Sequence, residues 1–256
     1  MTVGFRQAAA DFSVYRAGFP STVLDHLLPH HVGLAGQDVV DLGCGDGPLA
    51  RLFAAAGCRV TGIDRAAAQL EAARRLDAGA GLCIQYRHAT AEATGLDDQS
   101  VDAVVAGQCW HWFDRAGAAA EVLRILRPGG SLAVLHFDWL PLPGNVVAAT
   151  EDLIRKWNPD WPMGGGTGIY PQWLSELAMA GFGGLETFSY DLDLPRGRDE
   201  WRARIRASAG VAASLSPQLV ADFDREHGRM LDSRFPAEPL ALTHRLWAVI
   251  ARKPGA

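Results

Sequence analysis

The run Val39-Val40-Asp41-Leu42-Gly43-Cys44-Gly45-Asp46-Gly47 constrains this chain more than any other segment. A short apolar stretch carrying one acid breaks into alternating glycines. That is the pattern of a buried strand entering a tight loop whose backbone comes close to a ligand. A second apolar run, Arg59-Val60-Thr61-Gly62-Ile63-Asp64, ends in another acid nineteen residues past Gly45. A glycine loop followed by an acid at the tip of the next parallel strand is how an open α/β sheet holds a ribose-bearing cofactor.

The spacing narrows the choice of cofactor. A nicotinamide fingerprint needs G-x-G-x-x-G, whereas Gly43, Gly45 and Gly47 follow G-x-G-x-G. Pro48 then suits the first turn of a helix, where its missing N–H is not needed. Asp41 stands before the glycines. A carboxylate there would repel a pyrophosphate and suits a cationic group. S-adenosylmethionine (SAM) carries an ammonium and a sulfonium and no phosphate.

Five segments in order then resemble the class I SAM-dependent methyltransferases. Asp41 to Gly47 is similar to their first motif, and Asp64 stands where their ribose-binding acid stands. Thr90-Ala91-Glu92 resembles the segment beside the adenine. Ser100-Val101-Asp102-Ala103-Val104-Val105-Ala106-Gly107-Gln108 resembles the fourth-strand motif. Leu123 to Gly130 resembles the helix end and turn before strand five. The similarity is closest to the small-molecule type 11 branch and covers roughly residues 5 to 140. Members of that branch often carry an acid where this chain has Thr90, so the adenine contact there would rest on backbone and a hydroxyl.

The resemblance implies an α/β, Rossmann-like methyltransferase fold. Its mostly parallel central sheet would carry helices on both faces and a helical cap inserted after strand five. It implies one domain over 1–256, with a SAM-binding half at 1–140 and cap insertions at 139–180 and 196–235. It also implies methyl transfer from SAM to a small-molecule acceptor, with S-adenosylhomocysteine as product. Two other classes stay open. The chain could bind SAM for a cyclase- or lyase-type reaction, or bind it without catalysis, because cofactor motifs report binding rather than methyl transfer.

Composition agrees with a folded α/β chain. Of 256 residues, 48% are apolar, enough for a full core. The 24 basic and 29 acidic residues give a net charge of −5 with no basic run, which argues against nucleic acid as a partner. No apolar stretch reaches the length of a membrane span, and no basic-then-apolar leader opens the chain. Cys44, Cys58, Cys83 and Cys109 lack C-x-x-C spacing and read as small buried residues of a reducing cytoplasm, without disulfides or zinc. The scattered histidines lack ligand spacing, so no metal is expected.

Periodicity and punctuation predict the elements. Pro20-Ser21 opens a helix with Leu24, Leu27 and Leu28 on one face. Strands are expected at 38–42, 59–64, near 83–88, 101–106 and 131–137. Helices are expected at 48–56, 66–78 and 115–126. The second of these carries Leu70 and Leu76 and ends at Gly79. The third buries Val122, Leu123 and Leu126 and ends at Pro128-Gly129-Gly130. Later come helices at 145–157, 171–180, 198–207 and 216–231, and strands at 184–192 and 242–251. Strands alternating with helices imply a parallel sheet with right-handed crossovers.

Ligands in such a sheet lie past the carboxyl ends of the strands. The resemblance implies cofactor contacts at Tyr15, Arg16, Asp41, Gly43, Cys44, Gly45, Asp64, Arg65, Thr90, Ala91, Glu92 and Gln108. Asp41 would hold the methionine ammonium, and Gly43 and Gly45 would let the backbone approach. Two roles fit Asp64: binding ribose hydroxyls, or capping a helix before Ala66. Gln108 fits a cofactor contact or a polar cap on strand four. Arg16 fits a carboxylate clamp or a surface arginine. Trp110, Trp112, His136, Trp139 and Tyr170 are expected to line the acceptor. His111 is the candidate general base or else a core histidine, with His136 and Asp138 as rivals. Gly164 to Gly168 reads as a mobile lid or a slack loop. Arg202 and Arg206, at i and i+4, could anchor an acidic substrate or form a solvated face.

Overall fold

The structure, a computed structural model, describes residues 18–255. Tyr15 and Arg16 lie outside them. A short helix α1 (Val23–Leu27) precedes β1 (Asp38–Leu42), α2 (Pro48–Ala55), β2 (Arg59–Asp64), α3 (Ala67–Ala80), β3 (Gln85–His88), β4 (Val101–Gly107), α4 (Arg115–Ile125) and β5 (Leu126–Trp139). Then follow α5 (Val146–Trp157), α6 (Gln172–Ala180), β6 (Gly183–Arg196), α7 (Arg198–Arg206), α8 (Pro217–Arg234) and β7 (Leu240–Arg252).

The strands form one sheet in the order β3-β2-β1-β4-β5-β7-β6. β1 pairs parallel with β2 and with β4, β2 with β3, and β4 with β5. The chain therefore runs from β1 to one side, through β2 and β3, and returns on the other side at β4. That reversal makes β1 the switch point of an open parallel sheet, and a crevice opens outside the carboxyl ends of β1 and β4.

The described residues group into two compact units. The larger holds 18–137, 170–189 and 246–255; the smaller holds 138–169 and 190–245. In the larger unit the doubly covered strands read as nearly continuous apolar runs. Val40, Leu42, Ile63, Val104 and Val134 pack with Val122 and Ile125 of α4 and with Trp173 and Leu177 of α6. At the opposite ends of the strands from the crevice, Arg127 bonds Asp102 at 2.6 Å and Asp38 at 3.2 Å, and Arg59 bonds Asp38 at 2.6 Å. This half-exposed network fixes the register of β1, β2 and β4. The smaller unit packs Val147 and Ile154 of α5 against Trp201 and Ile205 of α7 and Phe223 and Leu231 of α8. Asn145 caps α5 by accepting from the Ala148 N–H at 2.8 Å, and Ser216 with Pro217 opens α8.

Several expected details are corrected. α1 is a single turn that buries Val23 and Leu27, while Leu28 is exposed. Helix α3 does not stop at Gly79; it runs to Ala80 and ends at Gly81, whose N–H bonds the Asp77 carbonyl. Leu76 faces solvent and Leu70 alone of that pair is buried, because α3 packs one narrow stripe. Pro128-Gly129-Gly130 does not end α4: β5 already begins at Leu126, and its pairing with β4 shifts register between Val101 and Ala103. Leu123 is only half-buried, and Cys83 is exposed in the loop before β3.

Candidate active site

The turn after β1, Asp64, the segment after β3, and residues 108–136 with Tyr170 and Trp173 all belong to the larger unit. Asp41 lies in the buried part of β1, before Leu42, beside Gly62 of β2 and Val105 of β4, and only 1% of its surface is exposed. Its carboxyl accepts the Ala50 N–H at the start of α2, while Oδ2 is buried with no hydrogen-bond partner among the described residues. Burial, opposed by that N–H and reinforced by the nearby Asp64 carboxylate, pushes its pKa up to about 8.

The glycine turn follows. Gly43 and Gly45 both take left-handed backbone, with φ of +64° and +57°. Their surroundings differ. A side chain on Gly43 would come within 2.9 Å of Cys109 Cβ and 3.0 Å of Phe113, so packing of the β4 loop requires that glycine. Among the described residues nothing lies within 4 Å of the position a side chain would take on Gly45. Gly45 thus presents bare backbone to open space. Cys44 between them donates its N–H to the Ile63 carbonyl at 3.0 Å, and its buried thiol is pushed up in pKa by desolvation.

Asp64 holds the same turn from β2. Oδ2 accepts the Gly45 N–H at 2.9 Å, and Oδ1 accepts the Ala66 N–H at 2.8 Å. Each oxygen keeps a second acceptor site. Asp64 is therefore both fastener of the turn and holder of spare acceptor capacity at its rim. Arg65 is exposed, and its carbonyl accepts from His88 Nε2 at 2.9 Å.

Beneath the turn lies a cluster the sequence reading missed. Arg51 of α2 bonds the Asp46 carbonyl at 2.7 Å and Asp77 of α3 at 3.2 Å. Tyr86 of β3 fills the space over Gly62, where a Cβ would lie 2.6 Å from its ring and 2.9 Å from Cys44 Sγ. The signal was present: an isolated glycine inside a strand marks close approach by a neighbour. Gly62→Ala should lower stability by about 1–3 kcal/mol through overpacking. Urea unfolding reads it directly, and adding Tyr86→Leu should recover part of the loss. A Gly62→Ala chain as stable as wild type would show that this packing is slack.

The segment after β3 is fastened to α4. Ala91 is buried, Thr90 is exposed and bridges Ala93, and Glu92 accepts the Asp114 N–H at 3.0 Å. Two residues on, Glu121 accepts from the Thr94 N–H at 2.8 Å and is flanked by Arg124 at 2.7 Å. The Arg124 guanidinium and Thr94 hold its pKa down to about 2.

Past β4, Gln108 has left-handed backbone with φ of +59°, an uncommon state for a residue other than glycine. Its N–H donates to the Leu135 carbonyl at 2.8 Å, and its side-chain amide donates to the Phe137 carbonyl. The amide nitrogen is thereby engaged between β4 and β5. Trp110 is fully buried, edge-on to Phe113, while Trp112 is 72% exposed. His111 is exposed, with its ring 4.6 Å from that of Trp112 and 5.3 Å from that of His136. His136 is buried at the end of β5, 4.3 Å from Tyr170 and 4.9 Å from Trp173, and the last two rings stack at 4.4 Å. Two imidazoles and a phenol therefore meet at the tips of β4 and β5.

In the smaller unit, Trp139 donates to the buried Glu151 at 2.9 Å and meets Trp201 edge-on. The other Glu151 oxygen accepts the Gly165 N–H at 2.7 Å. Arg245, held by Asp191 at 2.7 and 2.8 Å, bonds the Thr167 carbonyl at 3.0 Å. The glycine-rich segment is thus fastened at two points. It borders an open cavity of about 280 Å³ with Leu140, Leu142, Arg155 and Arg245. Arg202 and Arg206 both bond Asp224 at 2.8 Å, so they clamp α7 to α8.

Among the described residues no group of three or more His, Cys, Asp or Glu side chains is arranged to hold a metal, and no helix is long and apolar enough to cross a membrane. Residues 40–134 match a family described as a methyltransferase domain. A Mycobacterium tuberculosis protein named as an uncharacterized methyltransferase is 34% identical over 162 residues, which is 60% of this chain and 63% of that one. The ubiquinone biosynthesis O-methyltransferase of Methylocella silvestris is 42% identical over 135 residues, or 50% of this chain and 52% of that enzyme. The chain thus spans less than two thirds of the length of these curated relatives. A solved candidate type II methyltransferase from Anaeromyxobacter dehalogenans has a TM-score of 0.65 at 24% identity, covering 94% of this chain and 99% of its own. That likeness establishes the fold as the Rossmann-like α/β architecture of methyltransferases.

Proposed function

We propose, on the premise of the methyltransferase-domain match over residues 40–134, that the chain transfers a methyl group from SAM to a small-molecule acceptor. What supports this reading most is the chemistry of the turn after β1. Among the described residues a buried carboxyl oxygen of Asp41 lacks a partner and nothing crowds Gly45, and Asp64 keeps acceptor capacity at the rim. Those groups suit an ammonium, a nearby methionyl chain and a pair of ribose hydroxyls. They do not suit a diphosphate.

When bound, SAM supplies a methyl group activated on a sulfonium. Asp41 would then hold the ammonium, Gly43 to Gly45 the methionyl part, Asp64 the ribose, and Ala91 and Glu92 the base. The protein's part in an in-line displacement is alignment and exclusion of water. Phe113 packs against the turn at Gly43, with Trp110 edge-on to it. Trp112, His136 and Tyr170 shape the acceptor side, and His111 takes up the proton of an acceptor that must lose one.

Asp64→Ala tests the cofactor assignment. It should weaken SAM binding by roughly 1–3 kcal/mol, because ribose hydroxyls lose a charged acceptor. Calorimetric titration would read it, and unchanged affinity would remove Asp64 from the site. The reaction class is read from the product: methyl transfer leaves S-adenosylhomocysteine, whereas a cyclase acting on SAM leaves methylthioadenosine.

A further inference from the structure

Asp41 is placed in a way that binding alone does not explain. A carboxylate that only had to attract a cation could sit at the rim, as Asp64 does. Asp41 instead lies in the sheet, 1% exposed, with parallel neighbours on both sides that offer it no side-chain donor, Gly62 and Val105. One oxygen has the Ala50 N–H, and the other has no hydrogen-bond partner among the described residues. The charged groups around it do not compensate. Asp64 of β2 is of like sign. Among the described residues Arg51 of α2 is the cation acting on it, but its Nη1 is committed to Asp46 and Asp77. The neighbouring thiols, Cys44 and Cys109, bring no positive charge; Cys109 Sγ points to the Leu42 carbonyl at 3.0 Å. A buried carboxylate without a partner neutralises itself by taking a proton.

An arriving ammonium changes that balance. An opposite charge within a few ångströms favours the ionised carboxyl and displaces the proton. We propose that Asp41 is the residue by which this site selects a cationic ligand, and that it does so by releasing a proton: neutral when the site is empty, ionised when a ligand ammonium is bound beside it. The carboxyl O–H bond breaks, its electron pair stays on Asp41, and the proton goes to solvent. An uncharged ligand leaves the acid protonated and gains nothing from it. This inference rests on the SAM reading of the site and adds the condition under which the site recognises its ligand.

Binding linked to proton release strengthens as pH rises through the range where the free site is still protonated. Burial places that range around neutrality, with the free carboxyl titrating at about 8. A free α-amino group stays charged below about 7.7, so about pH 6.5 keeps the ligand cationic and the free acid protonated. The experiment is isothermal titration of the full chain at about pH 6.5 in buffers of different ionisation heat. SAM, S-adenosylhomocysteine and 5′-methylthioadenosine are the probes. The first two carry the ammonium; the third carries neither ammonium nor sulfonium.

SAM and S-adenosylhomocysteine should each release roughly 0.5–1 proton, and methylthioadenosine close to none. SAM affinity should rise up to about tenfold per unit between about pH 5.5 and 7, and methylthioadenosine affinity should stay flat. Asp41→Asn should abolish both the release and the slope while keeping methylthioadenosine affinity within about twofold, which also reports that the site is folded. SAM binding with no buffer-dependent heat overturns the inference and leaves the cofactor reading standing. Failure of all three ligands to bind overturns that reading and the inference with it.

Discussion

Acidification should unfold the smaller unit first, with its loss of stability falling between pH 6.5 and about pH 4. The cause is two buried histidines in 190–245. His227 of α8 is fully buried, 3.2 Å from the Thr150 hydroxyl at Nε2 and without a partner at Nδ1 among the described residues. His244 of β7 is 1% exposed, with Nδ1 on the Leu242 carbonyl at 2.9 Å. Desolvation is the main cause that lowers each from 6.5 to about 4; Asp224 opposes it at His227, and the Leu242 carbonyl opposes it at His244.

The sign follows from proton counting. Below pH 6.5 the unfolded chain binds protons that the folded chain refuses, so stability falls until the folded histidines titrate near 4. Each shift corresponds to about 2–4 kcal/mol, comparable to a large part of a domain's margin. The larger unit does not share this loss over most of that range. Asp41 favours its folded state as pH falls, and Glu121, held down to about 2, begins to lose its contribution only below about 4.5, where the unfolded carboxyl takes up a proton. Hydrogen exchange followed by mass spectrometry should show α5 and α8 losing protection while β4 keeps it. His227→Gln with His244→Gln should flatten the acid limb. Equal loss in both units at one pH would refute the assignment.

The α/β core was legible because its signals are local. β1, β2 and β4 are apolar runs bounded by acid or glycine, and both faces of the sheet are covered, so composition and position agree. Asp41, Gly45 and Asp64 were legible for the same reason: a glycine turn and a strand-end acid are one-dimensional marks. What was hidden depends on which residues meet across the sheet. Gly43 reads from sequence like Gly45, yet one packs on Cys109 and Phe113 and the other meets nothing among the described residues. Glu121 is one more helical acid in sequence; only the fold brings it to Thr94, 27 residues away. Leu76 and Leu70 are both leucines of one helix, and the angle between them, not their type, decides that one is exposed. The Arg202 and Arg206 pair shows the same limit. Their i, i+4 spacing was readable, but Asp224 on a separate helix decides what they do.

Asp41→Asn should make the ligand-free chain more stable at neutral pH while removing the group proposed to select the cationic ligand. At pH 7 the folded chain keeps a proton on Asp41 that the unfolded chain releases near 3.8. Holding it costs about 1.4 kcal/mol per pH unit over roughly three units, hence about 4 kcal/mol. Asparagine has nearly the same shape, keeps an oxygen for the Ala50 N–H, and needs no proton. Its amide brings donors into a buried place, which takes back about 1–2 kcal/mol. The expected net gain is about 2–3 kcal/mol. Because the folded pKa is raised, wild-type stability from this group is complete below 3.8 and declines as pH rises to about 8. The difference between variant and wild type should therefore grow from near or below zero at pH 4 to its maximum near pH 8. Denaturant unfolding of both chains across that range measures it, and parallel stability curves would mean that Asp41 is ionised in the empty site. A turn optimised for folding alone would carry asparagine here. The acid is a source of instability that only a bound cation relieves, so the same side chain that strains the empty protein gives the filled one its selectivity.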